Sequence, residues 1–503
     1  MSEIVIGIDG GTTAVKAVAF DLKGEIQASH HASVPVQYGA NGEAEQDMNL
    51  IWEAVAECLT EVYQSLDNPT VVGIGLTGQG DGAWLIDEEG NPTRPAANWL
   101  DGRAADRVNA WEADGRGRKV LNVTGTTVFG GLFPVLIEEL RESEPAAYEK
   151  AVTHLNCKDW IRFKLTGVRA TDYTEASRSF LDVRDASGFS TELATELGLE
   201  DTMRLLPEIR HADGPASPLS AEAAERTGIP EGTPVGVGMI DVAVTGMGLG
   251  AIDDNDTWLI LGTTGFVGTL LPSVANRKSD LSMVLATGNG TQVLEFMAPM
   301  TGTPNLDWIR RTLGLDDEDW ATIEKQARQA EPGSRGVIYL PYASPGGERA
   351  PFLDTNASAS WQGMSLTSAR EDILRSVYEG VAFSLVECIN ALEVENDLVV
   401  SGGGFRSDLL CEILADATGK RVIRQDAPEA GARGAAVLAL VSAGRFDSVK
   451  AAADALGATM ETFEPNPEHR EIYDLTHQIF LETRNAIQPV WKRMRELRKA
   501  VTE

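Results

Sequence analysis

The stretch Asp9-Gly-Gly-Thr-Thr-Ala-Val-Lys16 sets one carboxylate, two glycines, two hydroxyls and one ammonium between two apolar runs. Those groups suit the holding of phosphate. Glycines let backbone amides approach an anion closely, threonine hydroxyls add donors, and a lysine returns positive charge to the same point. Asp9 stands at the end of a buried strand, an expensive place for an unpaired carboxylate unless a cation sits beside it. For this stretch alone, a tight hairpin whose glycines only supply positive φ is the alternative. Half a chain later, Gly262-Thr-Thr-Gly265 repeats the donors between two further apolar runs, without the lysine. Two such hairpins facing each other across a cleft would grip a polyphosphate from both sides. A third turn, Ser401-Gly402-Gly403-Gly404-Phe-Arg-Ser407-Asp408, follows a strand-like run and opens into the amphipathic segment 409–418. Strand, glycine turn and helix N-terminus together make a nucleotide-shaped site. Asp241 lies after an apolar strand and before a small-residue helical run. Locally, a helix N-cap and a catalytic carboxylate are equal readings of it. Its place just before the second half begins, where two domains meet, favours catalysis.

These groups need strands to end at the turns. The first hundred or so residues alternate strand, turn, strand, a helix near 50–65, a strand at 71–76 and another at 83–87, which is the pattern of an α/β fold. The return of strand, Gly-Thr-Thr, strand at 258–271 predicts a duplicated architecture, divided at 1–245 and 246–503. The small residues of Glu429-Ala-Gly-Ala-Arg-Gly-Ala-Ala436 permit close helix packing. Pro/Gly-rich stretches at 228–236 and 332–349 read as loops, and the region from Pro465 reads as a long helix with a basic end. Two other phosphate motifs fail. There is no Gly-x-x-x-x-Gly-Lys-Ser/Thr, and Gly73-Ile-Gly-Leu-Thr-Gly78 is followed by a new strand where a dinucleotide fold, and so a nicotinamide-dependent dehydrogenase, needs a helix.

A chain of 503 residues requires two large domains or more. Its formal charge of −32 disfavours nucleic acid or an anionic membrane as partner, so a bound polyanion must be held locally. Cys58, Cys157, Cys388 and Cys411 are far apart in apolar segments, which fits buried thiols in a reducing compartment. With six scattered histidines, no basic leader before the first strand and no apolar run of membrane-spanning length, the expectation is a cytoplasmic protein without a metal cluster.

The order of motifs resembles that of the FGGY carbohydrate kinases, members of the actin-like, hexokinase-like ATPase superfamily. Asp9-x-Gly-Thr-x-x-x-Lys16, the Gly78-Gln79 turn, Trp99-x-Asp-Gly-Arg103, Asp241, Gly262-Thr-Thr-Gly265, Gly347-Glu-Arg-Ala-Pro351 and Gly402-Gly-Gly404 fall where that family has its counterparts. Ala359-x-Trp361-x-Gly363-Met364, followed by Asp372-Ile-x-x-Ser376-Val-Tyr-Glu379, meets every position of the family's C-terminal signature. The N-terminal signature segment, 129–138, lacks the usual lysine and tryptophan.

The resemblance implies two duplicated actin-like domains with the active site in the cleft between them. It implies Asp241 as general base, ATP as phosphoryl donor, and Mg²⁺ held largely through water by Asp9 and Asp241. Gly11, Thr12, Thr13 and Lys16 would contact the terminal phosphates from one side, and Gly262, Thr263, Thr264 and Gly265 from the other. Gly402, Gly403 and Gly404 with Ser407 would border the adenosine. Gln79, Gly80, Asp81, Trp99, Asp101, Arg103 and Asp241 would line the acceptor site, with Thr171 and Asp172 approaching it. Turn roles for Gln79 and Asp81, a core role for Trp84 or Trp99, and an internal Asp101–Arg103 ion pair stand beside those readings. Xylulose kinases commonly carry Met-His after this glutamine, where Gly80-Asp81 stands here, and the turn looks closest to the erythritol and L-xylulose kinase branch. The implied acceptor is a small polyol or ketose, erythritol first, with L-xylulose, D-xylulose or a related pentulose as the alternative. An actin-like ATP-binding switch or chaperone is the rival from another class. The assembly is open, with a homodimer as the option carried.

Overall fold

The computed structural model describes residues 2–426 and 429–502. Strands β1 (Glu3–Gly10), β2 (Ala14–Asp21) and β3 (Ile26–Ser33) form an antiparallel meander, and β4 (Thr70–Gly78) joins β1 in parallel. Helix α1 (Met48–Gln64) supplies the crossover, N-capped by Asp47, and buries Ile51, Val55, Leu59 and Val62 at helical spacing against the sheet. Short strands β5 (Ser217–Pro218), β6 (Pro234–Val235) and β7 (Met239–Ile240) complete this sheet, the last two parallel to β4. Between β4 and β5 the chain folds helices around a separate core containing Trp111, Phe133, Leu136 and Phe180, and this block reaches the turns after β1 and β4 through Trp99, bonded to Thr12, and Arg178, bonded to Asp81.

The second half repeats the plan. Strands β8 (Thr257–Leu261) and β9 (Gly265–Leu271) form a hairpin, flanked by β10 (Met283–Ala286) and β11 (Val293–Met297). β12 (Leu398–Ser401) pairs in parallel with β8 as β4 does with β1, and β13 (Val422–Asp426) and β14 (Thr459–Phe463) extend the sheet. The expected duplication is therefore present in the centre of each sheet, where β1, β2 and β4 correspond to β8, β9 and β12. Helices α2 (Cys157–Thr166), α3 (Tyr173–Ala176) and α4 (Asp241–Gly248) belong to the first half, and α5 (Arg370–Ala391), α6 (Asp408–Thr418), α7 (Ala430–Ser442) and α8 (Pro467–Thr502) to the second.

The halves interlock where they join. The cut at 245/246 falls inside α4, a continuous helix whose Ala243 and Val244 share a core with Trp258 of the second sheet. Helix α7 makes the reciprocal crossing, lying on β1 and β4 of the first sheet. The paired glycines Gly7 and Gly75 make room for it: a Cβ on either would stand 1.9 Å from the carbonyl oxygen of Ala432 or Ala435. Where α4 and α7 meet, Gly248 and Gly434 allow equally close backbone approach. The stretch from Glu429 thus packs as its small residues predict. Segment 332–349, read as a loop, contains a short strand at Ile338–Leu340 that pairs with Ser360–Gln362, because its apolar residues join the second core. Gly75→Ala should cost about 2–4 kcal/mol, since backbone must move to admit the methyl group, and urea denaturation would show it as a lowered midpoint.

Candidate active site

Three neighbouring parallel strands end at one level. Gly10 of β1 and Ile240 of β7 both pair with Gly78 of β4, so the next residues along the three strands are Gly11, Gln79 and Asp241. Ligands of open α/β sheets bind at such carboxyl ends. The register delivers the first hairpin, the Gln79–Asp81 turn and the Asp241 carboxylate to one place. Gly238, with φ of 77°, is needed for β7 to reach this level, because a Cβ there would meet the carbonyl oxygen of Leu76 at 1.9 Å.

Asp9 lies opposite Lys16 in the β1–β2 hairpin. Burial pushes its carboxyl up to about 6, Lys16 pulling the other way and Glu429 adding to the rise. Asp241 is the first residue of α4, where its carboxylate accepts from the Val242 amide at 2.7 Å. Burial raises its carboxyl to about 7, helped by repulsion from Asp9 and Asp81. Two partly buried carboxylates that repel each other fit a cation with oxygen ligands. No group of three or more metal-ligating side chains exists among the described residues. Two carboxylates suit Mg²⁺, which keeps most of its waters and takes substrate phosphate oxygens.

The second half presents its own strand ends. β8 and β12 run in register through Ile260 and Ser401, so the Gly262–Thr264 turn and the Gly402–Gly404 turn emerge together. A Cβ on Gly262 or on Gly403 would meet no atom within 4 Å, and Thr263 is exposed. These turns are open to a ligand. The backbone at Gly402, with φ of 102°, passes close to Leu261. Ser407 is otherwise engaged: its hydroxyl caps α6 through the Leu410 amide and donates to Glu324 at 2.7 Å.

On the acceptor side, Gln79 is buried and donates to Gln46 at 2.7 Å. Gly80 is packed against Ile240, leaving no space for a side chain. Asp81, with φ of 62°, receives two bonds from Arg178, at 2.8 and 3.0 Å. Trp99 is partly buried and donates from its indole to the Thr12 hydroxyl at 2.9 Å, while Trp84 is core. Asp101 and Arg103 form the internal ion pair that was the alternative reading. Arg103 is also held by Glu45 and Glu144, and Asp101 accepts from the Ala44 amide at 2.9 Å. Thr171 and Asp172 are buried beneath the turn, where Asp172 pairs with Lys158 at 2.9 Å and caps α3. Thr174 of α3 accepts from the Ile240 amide at 3.0 Å, anchoring the residue before Asp241.

Three participants escaped the sequence reading. Glu429, φ of 61°, pairs with Lys16 at 2.9 Å across the two halves. Arg178 neutralises Asp81. Arg349, from Gly347-Glu-Arg-Ala-Pro351, brings positive charge of the second half within electrostatic range of Asp81. Glu429 and Arg349 sat in quoted stretches without a role given to their side chains, and Arg178 sat in none.

The model for the FGGY family of carbohydrate kinases, N-terminal domain, matches residues 4–248, and that for the C-terminal domain matches 258–443. An erythritol kinase from Brucella abortus is 32% identical over 98% of both chains. A probable L-xylulose kinase from Pasteurella multocida is 29% identical over 96% of this chain and 99% of its own. A gluconate kinase structure from Lactobacillus acidophilus superposes with a TM-score of 0.90 at 25% identity, covering 98% of this chain and 100% of that one. The motifs, the duplicated two-domain fold and both halves of the family model agree, and this chain belongs to the FGGY family of carbohydrate kinases.

Proposed function

We propose that this kinase transfers the γ-phosphoryl group of ATP to a hydroxyl of a small polyol or ketose, erythritol first, with Asp241 as general base. The observation that carries the reading is the common level of three neighbouring strand ends, along which the Asp9 hairpin after β1, the Gln79–Asp81 turn after β4 and Asp241 after β7 follow one another. A carboxyl group raised to about 7 is well matched to proton transfer near neutrality. The acceptor oxygen forms its bond to the γ-phosphorus as the bond to the bridging oxygen breaks. ADP leaves, and the hydroxyl proton passes late to the Asp241 carboxylate. Thr12, Thr13 and Lys16, with the amides around Gly11, would hold the terminal phosphates, and Gly262–Gly265 would meet them from the other half. Gly402–Gly404 would border the adenosine, with Ser407 acting as the cap of α6 beneath it. Asp9 and Asp241 would hold Mg²⁺, which supplies charge neutralisation to the phosphates when bound.

Erythritol comes first because the relative of that name is similar along almost the whole chain. The Arg178-held Asp81 adds a carboxylate suited to vicinal hydroxyls. A pentulose is the second reading, supported by the L-xylulose kinase relative. The first half would carry the acceptor and the first phosphate hairpin, the second half the nucleotide. A cytoplasmic location is supported by four free, buried cysteines, and no helix among the described residues is long and apolar enough to cross a membrane. A coupled ADP assay across erythritol, glycerol, xylitol, D- and L-xylulose, ribulose and gluconate tests the assignment. Erythritol should give the highest kcat/KM. Turnover on glycerol alone would reject a four- or five-carbon acceptor, and ADP release indifferent to any polyol would favour the switch reading.

A further inference from the structure

The acceptor turn and the phosphate hairpin are joined by a buried hydrogen-bond chain centred on a residue outside every motif quoted above. Gln46 ends a short strand, Ala44–Gln46, beside Ala96 and is 1% exposed. Its Oε1 accepts from Gln79 Nε2 at 2.7 Å and from Asn98 Nδ2 at 3.2 Å. Its Nε2 donates to the Thr12 carbonyl oxygen at 2.9 Å. The direction of the chain is fixed by backbone groups at both ends. The Thr12 carbonyl can only accept, so Gln46 must present its amide nitrogen there and its oxygen to the other side. The Leu100 amide can only donate, and it donates to Asn98 Oδ1 at 2.9 Å, so Asn98 must present its nitrogen to Gln46. With Gln46 Oε1 as the acceptor, Gln79 is forced to use Nε2. Its own Oε1 is left buried with no partner in the protein. Trp99, next to Asn98, closes the circuit through its indole bond to the Thr12 hydroxyl. Buried polar groups rarely go unsatisfied, so an orphan carbonyl oxygen in the turn that meets Asp241 invites a donor from outside the protein.

We infer that Gln46 is a positioning residue that locks the Gln79 turn to the Thr12 hairpin and orients the Gln79 amide so that its oxygen accepts a hydrogen bond from the acceptor's hydroxyl. The inference rests on the polyol or ketose reading above for the identity of that hydroxyl group. Gln46 touches neither substrate. It acts through Gln79 on one side and through Thr12 on the other, so its removal weakens both sites at once.

The test is a double-mutant cycle with Gln46→Met and Gln79→Met, measured with erythritol and ATP. Gln46→Met is expected to raise the KM for erythritol and the KM for ATP about ten-fold each. Gln79→Met alone is expected to raise the erythritol KM about ten-fold with the ATP KM within two-fold, and to add less than three-fold to the erythritol KM in the Gln46→Met background. Additive costs, or a Gln46→Met enzyme in which either KM is unchanged, would overturn the inference. Should Gln46→Met fail to fold, Trp99→Phe removes the indole donor to Thr12 while keeping an aromatic ring and is expected to raise the ATP KM about five-fold; an unchanged ATP KM would overturn the link between the two turns. Should the wild-type enzyme turn over no polyol or ketose, the acceptor reading falls while the link remains testable: calorimetric ADP binding weakened in Gln46→Met supports it, and binding equal to wild type rejects it.

Discussion

Asp241→Asn should lower kcat by about 10³-fold or more and leave ATP affinity within a few-fold. A positioned general base contributes about 10²–10⁴, and the same substitution removes one of the two carboxylates placed to hold Mg²⁺. Asparagine has the same shape and keeps the bond from the Val242 amide, so the N-terminus of α4 and the register of β7 survive. The loss therefore falls on the chemical step. Stability should move the other way. The folded carboxyl titrates near 7 and the unfolded one near 3.8, so folding at high pH requires burying a charge that at low pH is neutralised by a proton. The unfavourable contribution is absent below about 4, grows as pH rises, and is complete above about 7. Asp241→Asn should therefore be more stable than wild type at pH 8, by about 1–3 kcal/mol for a group still partly exposed to the cleft. That advantage should shrink toward zero as pH is lowered toward 4. Thermal melts across pH, without nucleotide or metal, would show it. A variant with wild-type turnover would remove Asp241 from the reaction, and one equally stable to wild type at every pH would remove the electrostatic strain.

That strain links the sequence to its function. The apolar runs, the glycine turns and the duplication were legible because they are local: Ile4–Ile8, Gly10–Gly11 and Thr12–Thr13 specify strand and turn without help from the rest of the chain, and 258–271 does the same. Asp9 and Asp241 were legible because a carboxylate at the end of a buried strand contradicts its surroundings, and such contradictions gather at functional sites. Side-chain partners were not. Asp101 and Arg103 have the types of a sugar-binding pair, yet the turn at Gly102 brings them together and Glu45 and Glu144 complete the network. Ser407 also caps α6, a bond that its place ahead of the helix supplies and its residue type alone does not announce. Arg178 and Gln46 carry no motif, and only the tertiary fold shows that one neutralises Asp81 and the other spans two turns. The interlock around 245/246 was not legible either: α4 and α7 each pack against the opposite sheet, which no local pattern announces.

Lys16→Met should lower kcat/KM for ATP by about 10²–10³-fold, while Glu429→Gln should leave it within about three-fold of wild type. The Lys16 ammonium is held by both Glu429 oxygens, at 2.9 and 3.1 Å, from a residue 413 positions away. Both side chains are substantially exposed, so the pair is worth about 0–1 kcal/mol and does not hold the halves together. A terminal phosphate carries more charge than a carboxylate and offers more acceptor oxygens, and in a closed cleft its bond to the ammonium is strengthened by the loss of water. Phosphate should therefore displace Glu429. Removing Lys16 loses a charge-assisted bond that grows as negative charge develops on the leaving oxygen, a loss of the size seen when one preorganised donor is deleted. Removing the Glu429 charge frees the lysine and also withdraws repulsion from Asp9, whose carboxyl should titrate lower. The double variant Lys16→Met/Glu429→Gln should be no worse than Lys16→Met alone, because Glu429 acts on phosphate only through the lysine. If Glu429→Gln instead matched Lys16→Met in its loss, Glu429 would be holding the ammonium in its working position, and the ion pair would be part of the loaded site.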